Sequence, residues 1–144
     1  MTRKAEMKDL SILAELACLL WPDNTVKVMR SELETIMDEP DAAFFIAYEE
    51  DVPTGFAQCH LRHDYVEGTD SSPVGYLEGI YVTREYRKHG IARELLFACE
   101  SWAAEMGCSE FASDCELDSV QSLQFHLRVG FEESNRIICF TKKI

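Results

Sequence analysis

The chain has 144 residues, 47% of them apolar, enough for one domain with a single core over residues 1–144. Its formal net charge of -12 argues against nucleic acid or an anionic membrane as partner and favours a cationic one, although acidity also serves solubility alone. No apolar run approaches the roughly 18 residues of a membrane-spanning helix, and acidic residues interrupt the N-terminal apolar stretch. We therefore expect no signal peptide and a cytoplasmic protein.

Two helices are predicted near the N-terminus. Apolar residues recur at helical spacing over 10–21 and again over 26–37, and a proline follows each stretch. Asp23 or Asn24 is expected to cap the second helix. Trp21, at the end of the first helix, either packs in the core or offers its ring face to a cation.

Strands are predicted from β-branched and aromatic residues. These residues indicate strands over 2–6, 43–48, 55–62 and 76–82, with an acidic turn joining the second to the third as a hairpin. A polar loop over 63–72 precedes the last of these strands. After it, apolar residues at three- and four-residue spacing predict a helix over 91–106, which Gly107 ends.

A basic turn lies between this strand and this helix. It contains Arg87, Lys88, His89 and Gly90. The glycine allows close approach of a ligand to the backbone, and the first N–H groups of the helix have no internal partner. The turn is therefore a candidate pyrophosphate site or, alternatively, a solvated basic loop.

The last third predicts a strand over 110–115, a helix over 120–127 capped by Asp118 or Ser119, and strands over 131–133 and 136–141. The chain as a whole then forms an α/β fold. We expect a mixed, mostly antiparallel sheet of about six to seven strands with helices on both faces.

Cysteine and histidine do not indicate a metal site or disulfides. None of the six cysteines forms a Cys-x-x-Cys pair, and the four histidines lack ligand spacing. Most cysteines lie in apolar stretches, so reduced thiols in the core are expected: Cys18, Cys59, Cys99, Cys108, Cys115 and Cys139.

Two motifs resemble those of the Gcn5-related N-acetyltransferases. RKHGIA at 87–92 fits the R/Q-x-x-G-x-G/A signature, and SVQSLQFHLRVGF at 119–131 resembles N-x-x-A-x-x-F-Y-x-x-x-G-F. FASD at 111–114, HDYVEGTDSSPVGYLEGIYV at 63–82 and the ending FTKKI are similar to the bacterial aminoglycoside 6'-N-acetyltransferases. The likeness covers nearly the whole chain.

The resemblance implies acetyl-coenzyme A as cosubstrate and no metal. It places the pantetheine along the backbone of Ile80, Tyr81 and Val82, and near Ser119, which replaces the usual asparagine. The pyrophosphate would meet the basic turn and the start of the following helix: Arg87, Lys88, His89, Gly90, Ile91, Ala92 and Arg93.

Acetyl transfer to an amine needs a proton acceptor, a polarised carbonyl and a protonated leaving thiolate. Glu78, a charge in an apolar strand, is the candidate base, although alternation also allows it to face solvent. Asp114 is the second candidate carboxylate, with a capping or loop role as the alternative, and the Val82 N–H is the candidate oxyanion donor. His126 stands where most of the superfamily has a tyrosine as general acid, so the acid is His126 or solvent.

In the resembled enzymes, the positions of Trp21, Tyr65, Glu78 and Asp114 line the acceptor pocket, and Asn135 replaces an acidic residue of some relatives. We therefore expect transfer of acetyl to the 6'-amine of aminoglycosides by direct attack in a ternary complex, which would confer resistance. Another small amine as acceptor, or a coenzyme A-binding sensor without catalysis, are the alternatives. The resemblance also implies a homodimer, with the carboxyl-terminal strands as candidate contacts.

Overall fold

The computed structural model describes residues 1–144 and confirms the α/β class. Five strands form one sheet in chain order, antiparallel except for the parallel pair β4 and β5. The strands are β1 (Thr2–Lys4), β2 (Ala42–Glu49), β3 (Val52–Arg62), β4 (Val74–Val82) and β5 (Phe111–Ser113). The helices are α1 (Leu10–Leu20), α2 (Val26–Met37), α3 (Ile91–Glu105) and α4 (Val120–Arg128).

The sheet separates two apolar cores, as expected for helices on both faces. On one face, α1 and α2 pack on Phe44, Ile46 and Phe56. On the other face, α3 packs on the strands through Leu95 and Cys99, among other residues. None of the helices is long and apolar enough to cross a bilayer.

The cap of α2 is Thr25, which corrects the prediction of Asp23 or Asn24. The Thr25 hydroxyl accepts a hydrogen bond from the Val28 N–H at 3.2 Å, and the Thr25 backbone is extended. The helix begins at Val26, so only the residue directly before it can reach that N–H. The Asn24 amide instead donates to the Trp21 carbonyl at 3.4 Å.

The hairpin between β2 and β3 is tighter than predicted. Its turn residues, Glu50 and Asp51, have φ of 47° and 71°, as two-residue hairpin turns require. β3 therefore begins at Val52 rather than at residue 55. Pro53 is accommodated because the ladder is irregular opposite Tyr48.

The predicted strands over 131–133 and 136–141 are wrong. Residues 131–144 form no regular secondary structure, and all but Phe131 are exposed. A strand must pair its backbone N–H and C=O groups with a neighbour. β5 has only three residues, and the tail forms no backbone hydrogen bonds with its open edge. The sheet accordingly has five strands rather than six or seven.

The thiols are all free but not all internal. Cys59 and Cys99 are buried, as predicted, whereas Cys115 and Cys139 are exposed, which corrects their assignment to the core. Both exposed thiols belong to the part of the chain after α3, where side chains find little to pack against.

A buried ion pair fixes the N-terminus. The Arg3 guanidinium donates two hydrogen bonds of 2.7 Å to Asp9, whose side chain is 5% exposed and also accepts from the Glu6 N–H at 2.8 Å. These donors, Arg3 foremost, lower the pKa of Asp9 from 3.8 to about 2. The pair joins β1 to the start of α1.

Candidate active site

A gap opens along one edge of β4. The parallel pairing with β5 ends at Leu77, whereas β4 continues to Val82. On the other edge, the Thr83 N–H donates to the Thr54 carbonyl of β3 at 2.8 Å. Since successive residues of a strand direct their backbone groups to opposite edges, the N–H and C=O of Val82 point into the gap.

The same alternation divides the residues predicted to bind pantetheine. The backbone groups of Ile80 point into the gap like those of Val82, whereas those of Tyr81 face β3 opposite Phe56. Arg87 lies at the end of the gap. Its Nε donates to the Val82 carbonyl at 2.9 Å, and its guanidinium lies 5.4 Å from the Tyr81 ring centroid.

The start of α3 has the features of an anion site. Gly90 precedes the helix with φ of 84°, offers no side-chain cap, and no heavy atom lies within 4 Å of the position that a Cβ would occupy. The first helical N–H groups, Ile91 to Arg93, therefore remain open to a ligand. Lys88 and His89 are exposed beside them. Ile91 itself is buried in the core, so only its backbone can take part.

Glu78 is the extra residue of a β-bulge. The partner of Gln58 is Gly79 and the partner of Cys59 is Leu77, so Glu78 stands opposite no residue of β3. A bulge redirects the side chain and frees the backbone from the ladder. The result is a carboxylate on the face of the sheet that carries α1 and α2.

Two basic side chains of β3 surround the Glu78 carboxylate. Arg62 donates to Oε1 from Nε at 3.1 Å and from Nη2 at 2.9 Å, and Nη2 also lies 3.0 Å from Oε2. The His60 Nδ1 lies 3.9 Å from Oε1, and its Nε2 lies 3.7 Å from Glu39. This Nδ1 is buried and has no hydrogen-bond partner.

Tyr76 and Arg62 connect Glu78 to the second predicted carboxylate, Asp114. The Tyr76 hydroxyl donates to Asp114 directly after β5, and the Arg62 guanidinium lies 3.4 Å from the Tyr76 ring centroid. Burial first, and the hydrogen bond to Asp114 second, raise the pKa of Tyr76, so the phenol stays protonated and donates. The structure thus links both carboxylates in one network.

A cavity of about 270 Å³ lies beside Glu78, between α1, α2 and the sheet. Trp21 forms one wall and packs edge-on against Phe56 with ring centroids 6.0 Å apart. A Cβ on Gly79 would lie 2.8 Å from the indole, so only glycine at this position lets Trp21 approach the strand so closely. The other lining residues are Asn24, Met29, Glu32, Leu33, Ile36 and Gln58.

A larger and more open groove, of about 960 Å³, runs between α3 and the first two strands. Phe97, Phe45 and Trp102 line it, but neither Glu78 nor Asp114 does. Of the two predicted carboxylates, Glu78 lines the smaller cavity, whereas Asp114 lines neither.

Comparison with known proteins agrees with this geometry. The family model of the acetyltransferase (GNAT) family matches residues 13–131. The chain belongs to this family. It is 42% identical over 139 residues to aminoglycoside N(6')-acetyltransferase type 1 of Stenotrophomonas maltophilia, which covers 96% of this chain and 90% of that protein. The enzyme of the same name from Salmonella typhimurium is 40% identical, with 86% of each chain covered.

Solved GNAT structures are similar over the full chain. AAC(6')-Iy in complex with the bisubstrate analogue CoA-S-monomethyl-acetylneamine has a TM-score of 0.95 at 37% identity, with 100% of this chain and 98% of that chain covered. AAC(6')-Ih from Acinetobacter baumannii has a TM-score of 0.95 at 36% identity and the same coverage. The resemblance inferred from the motifs is therefore confirmed.

Within this GNAT fold, His126 holds α4 against β5. Its Nε2 lies 2.8 Å from the Ser113 hydroxyl, and its Nδ1 lies 2.6 Å from the Ser122 carbonyl, which only an N–H can satisfy. The ring also packs on Phe131 at 5.1 Å between centroids. Ser119 directly precedes α4, and its hydroxyl caps no helical N–H.

The remaining predicted acceptor residues lie outside the cavity. The Tyr65 side chain is 76% exposed on the loop before β4. Its neighbour Val66 packs with Val74 and Tyr76 and so anchors the loop on the sheet. Asn135 donates to Glu67 of this loop at 3.0 Å, so it ties the C-terminal tail to the loop.

Several polar site residues were absent from the sequence prediction. Arg62 and His60 project from β3 on the same face as Gln58, and residue alternation along a strand could have indicated this row. Glu32 lies beside Met29, Leu33 and Ile36 on α2. An acidic residue at the edge of this apolar stripe could have indicated that Glu32 faces the cavity.

Proposed function

We propose that this GNAT protein transfers the acetyl group of acetyl-coenzyme A to the 6'-amino group of aminoglycosides and thereby confers resistance. The observation that carries the proposal is the Glu78 carboxylate at a bulge, with an acidic and aromatic cavity on one side and the open edge of β4 beside it. Similarity to aminoglycoside N(6')-acetyltransferases over nearly the whole chain supports the acceptor.

The residues present fit the coenzyme. The gap beside β4 exposes the N–H and C=O groups of Ile80, which can pair with the amides of the pantetheine arm as a further strand would, and it leaves the Val82 N–H free for the thioester carbonyl. The open start of α3, with Gly90 and the basic side chains of Lys88 and Arg93, suits the pyrophosphate. Ser119, whose hydroxyl caps no helical N–H, can add one hydrogen bond to the pantetheine.

Glu78 holds the acceptor ammonium and takes its proton, directly or through water. An alkyl amine is mostly protonated at neutral pH, so attack on the thioester requires this deprotonation. The Val82 N–H stabilises the negative charge that develops on the carbonyl oxygen. The leaving thiolate is protonated by His126 or by solvent.

The acceptor pocket favours a polycation. Glu78 and Glu32 line the cavity, Asp114 closes the network, and Trp21 provides a face for a sugar ring. The net charge of -12 attracts such a molecule over a longer range. We expect Tyr65 and Asn135 to contact the distal rings of the drug.

The test is coenzyme A thiol release with acetyl-coenzyme A and tobramycin, kanamycin A, an aminoglycoside with a 6'-hydroxyl, or spermidine. We expect turnover with the first two drugs only. Turnover with spermidine alone would replace the acceptor by a polyamine. Release with none of these amines, despite coenzyme binding, would indicate a sensor.

We further propose that the protein is a homodimer and that it acts in the cytoplasm, where acetyl-coenzyme A is available. The tail exposes large apolar side chains, with Ile137 68%, Ile138 80% and Phe140 88% exposed. Exposed strand-forming residues with unpaired backbone are suited to pairing with a second copy. Sedimentation should give twice the chain mass, and Phe140→Asp should give the monomer; a monomeric wild-type protein would contradict the proposal.

A further inference from the structure

We infer that Arg62 competes with the acceptor for Glu78. In the free protein its guanidinium occupies the carboxylate, and the acceptor ammonium displaces it on binding. The inference rests on the proposed function in one respect, namely that the acceptor is an amine that binds at Glu78.

The first observation is that Arg62 leaves little room at the carboxylate. It places three contacts of 2.9 to 3.1 Å on Glu78 and reaches both oxygens. An ammonium that approaches Glu78 must therefore replace at least some of these hydrogen bonds. A guanidinium stays charged at any ordinary pH, so Arg62 cannot take the proton that the reaction must remove.

The second observation is that the pair is able to separate. The side chains of Arg62 and Glu78 are 42% and 25% exposed, and partly solvated ion pairs are weak. Arg62 lies 3.4 Å from the Tyr76 ring centroid, so this cation–π contact can retain it at the edge of the site.

The third observation concerns the carboxylate itself. The His60 Nδ1 is buried without a hydrogen bond and lies 3.9 Å from Glu78 Oε1. A small rotation of Glu78 away from Arg62 would bring the two within hydrogen-bond distance. The carboxylate that Arg62 releases thus has a second neighbour within reach.

Competition by a cation makes the site respond to charge. An ammonium can replace the guanidinium, whereas a neutral hydroxyl cannot. Removing the Arg62 charge should therefore strengthen binding of an acceptor with a 6'-ammonium more than that of its 6'-hydroxyl counterpart. Neomycin and paromomycin form such a pair, because they differ in this one group.

The experiment is titration calorimetry at one pH and ionic strength, with coenzyme A bound, of neomycin, paromomycin and spermidine. For Arg62→Gln we expect the Kd of neomycin to fall by about twofold to fivefold, the range that a partly exposed ion pair implies. The Kd of paromomycin should stay within about twofold. Arg30→Gln, which removes one positive charge from an exposed position of α2, is the matched control and should change neither.

Weaker or unchanged neomycin binding by Arg62→Gln would overturn the inference and make Arg62 a residue that positions Glu78. If the variant does not fold, NMR spectroscopy of the wild-type protein tests the inference instead. The Arg62 Nε–H resonance should shift when neomycin is added and stay in place with paromomycin; equal shifts would also overturn it.

The two proposals fail separately. If thiol release occurs with spermidine and not with neomycin, the proposed acceptor is wrong, and the spermidine Kd of Arg62→Gln then decides the role of Arg62. If neomycin is acetylated but its Kd is unchanged in the variant, only the competition is wrong.

Discussion

The chain consists of a part that contains the whole core and a part that contains none of it. All 34 buried residues lie from Ala5 to Ala103, in what we call the compact part. No residue after Ala103, in the terminal part, is buried, although this part includes β5, α4 and the tail. The site draws on both, with Glu78 from one and Asp114 from the other. Glu78 therefore lies in a packed scaffold, whereas Asp114 lies in a part of the chain that has no buried residues of its own.

The largest difference is expected for one substitution made in both parts. Leu13→Ala in α1 removes a fully buried side chain and should lower the free energy of unfolding by about 3 kcal/mol. Leu127→Ala in α4 removes a side chain that is 52% exposed and should cost less than about 1 kcal/mol. Denaturant titration of both variants measures the contrast. Equal losses would mean that the terminal part is packed as tightly as the compact part.

The next contrast is catalytic. Glu78→Gln should lower kcat by about 100-fold or more at unchanged coenzyme A affinity, because the amide cannot accept the proton. Asp114→Asn should mainly raise the KM of the aminoglycoside. Asp114 already accepts a hydrogen bond from Tyr76, so we assign it to binding of the drug rather than to proton transfer. Steady-state kinetics of both variants distinguish the roles. Full turnover by Glu78→Gln would exclude Glu78 as the base.

Ion pairs of the two parts should respond differently to acid. The pKa of Asp9 is lowered to about 2, so the Arg3 pair stabilises the fold fully above the unfolded value of 3.8 and is lost as the pH falls toward 2. At pH 7, Asp9→Asn should cost about 2 kcal/mol of unfolding free energy, a difference that shrinks below about pH 4.

Glu133→Gln is the control for this prediction. The pKa of Glu133 is also lowered by an arginine, Arg136, but both side chains are largely exposed in the terminal part. Solvent screens such a pair, so the variant should unfold like the wild type at every pH. Unfolding curves of both variants between pH 2 and 7 are the measurement. An Asp9→Asn effect that does not change with pH would contradict the assignment of the lowered pKa to the Arg3 pair.

The smallest effect is expected at His126. Nε2 bonds Ser113 of β5 and Nδ1 bonds Ser122 of the same helix, so both ring nitrogens are engaged, and His126→Gln should lower kcat by less than about tenfold and reduce Tm slightly. A loss of about 100-fold at unchanged Tm would instead assign His126 as the general acid. Kinetics together with thermal unfolding separate these outcomes.

Much of the compact part follows from local sequence signals. The apolar spacing of α1 and α3 predicts these helices correctly, and Gly90 stands directly before α3 as expected, because these features depend on nearby residues. The binding of an anion at the basic turn stays a prediction. The Thr25 cap and the early start of β3 were missed by one to three residues, since the boundary depends on which side chain reaches a particular N–H.

The tail shows where such signals end. Residues 136–141 have strand composition but no strand, because a strand is completed by a partner that lies far away in sequence or in another chain. Arg62 and His60 were overlooked for a related reason, since each is unremarkable until a neighbouring strand brings Glu78 beside it.

Motifs and periodicity are properties of contiguous residues, so they were enough to predict the family, the order of the elements through α4, the basic turn before α3 and the two acidic candidates. Three relations became visible only in the folded chain: Glu78 stands on a bulge, Arg62 binds its carboxylate, and Tyr76 connects Arg62 to Asp114. Those relations arise from strand register, and a shift of a single residue in register changes which side chains meet.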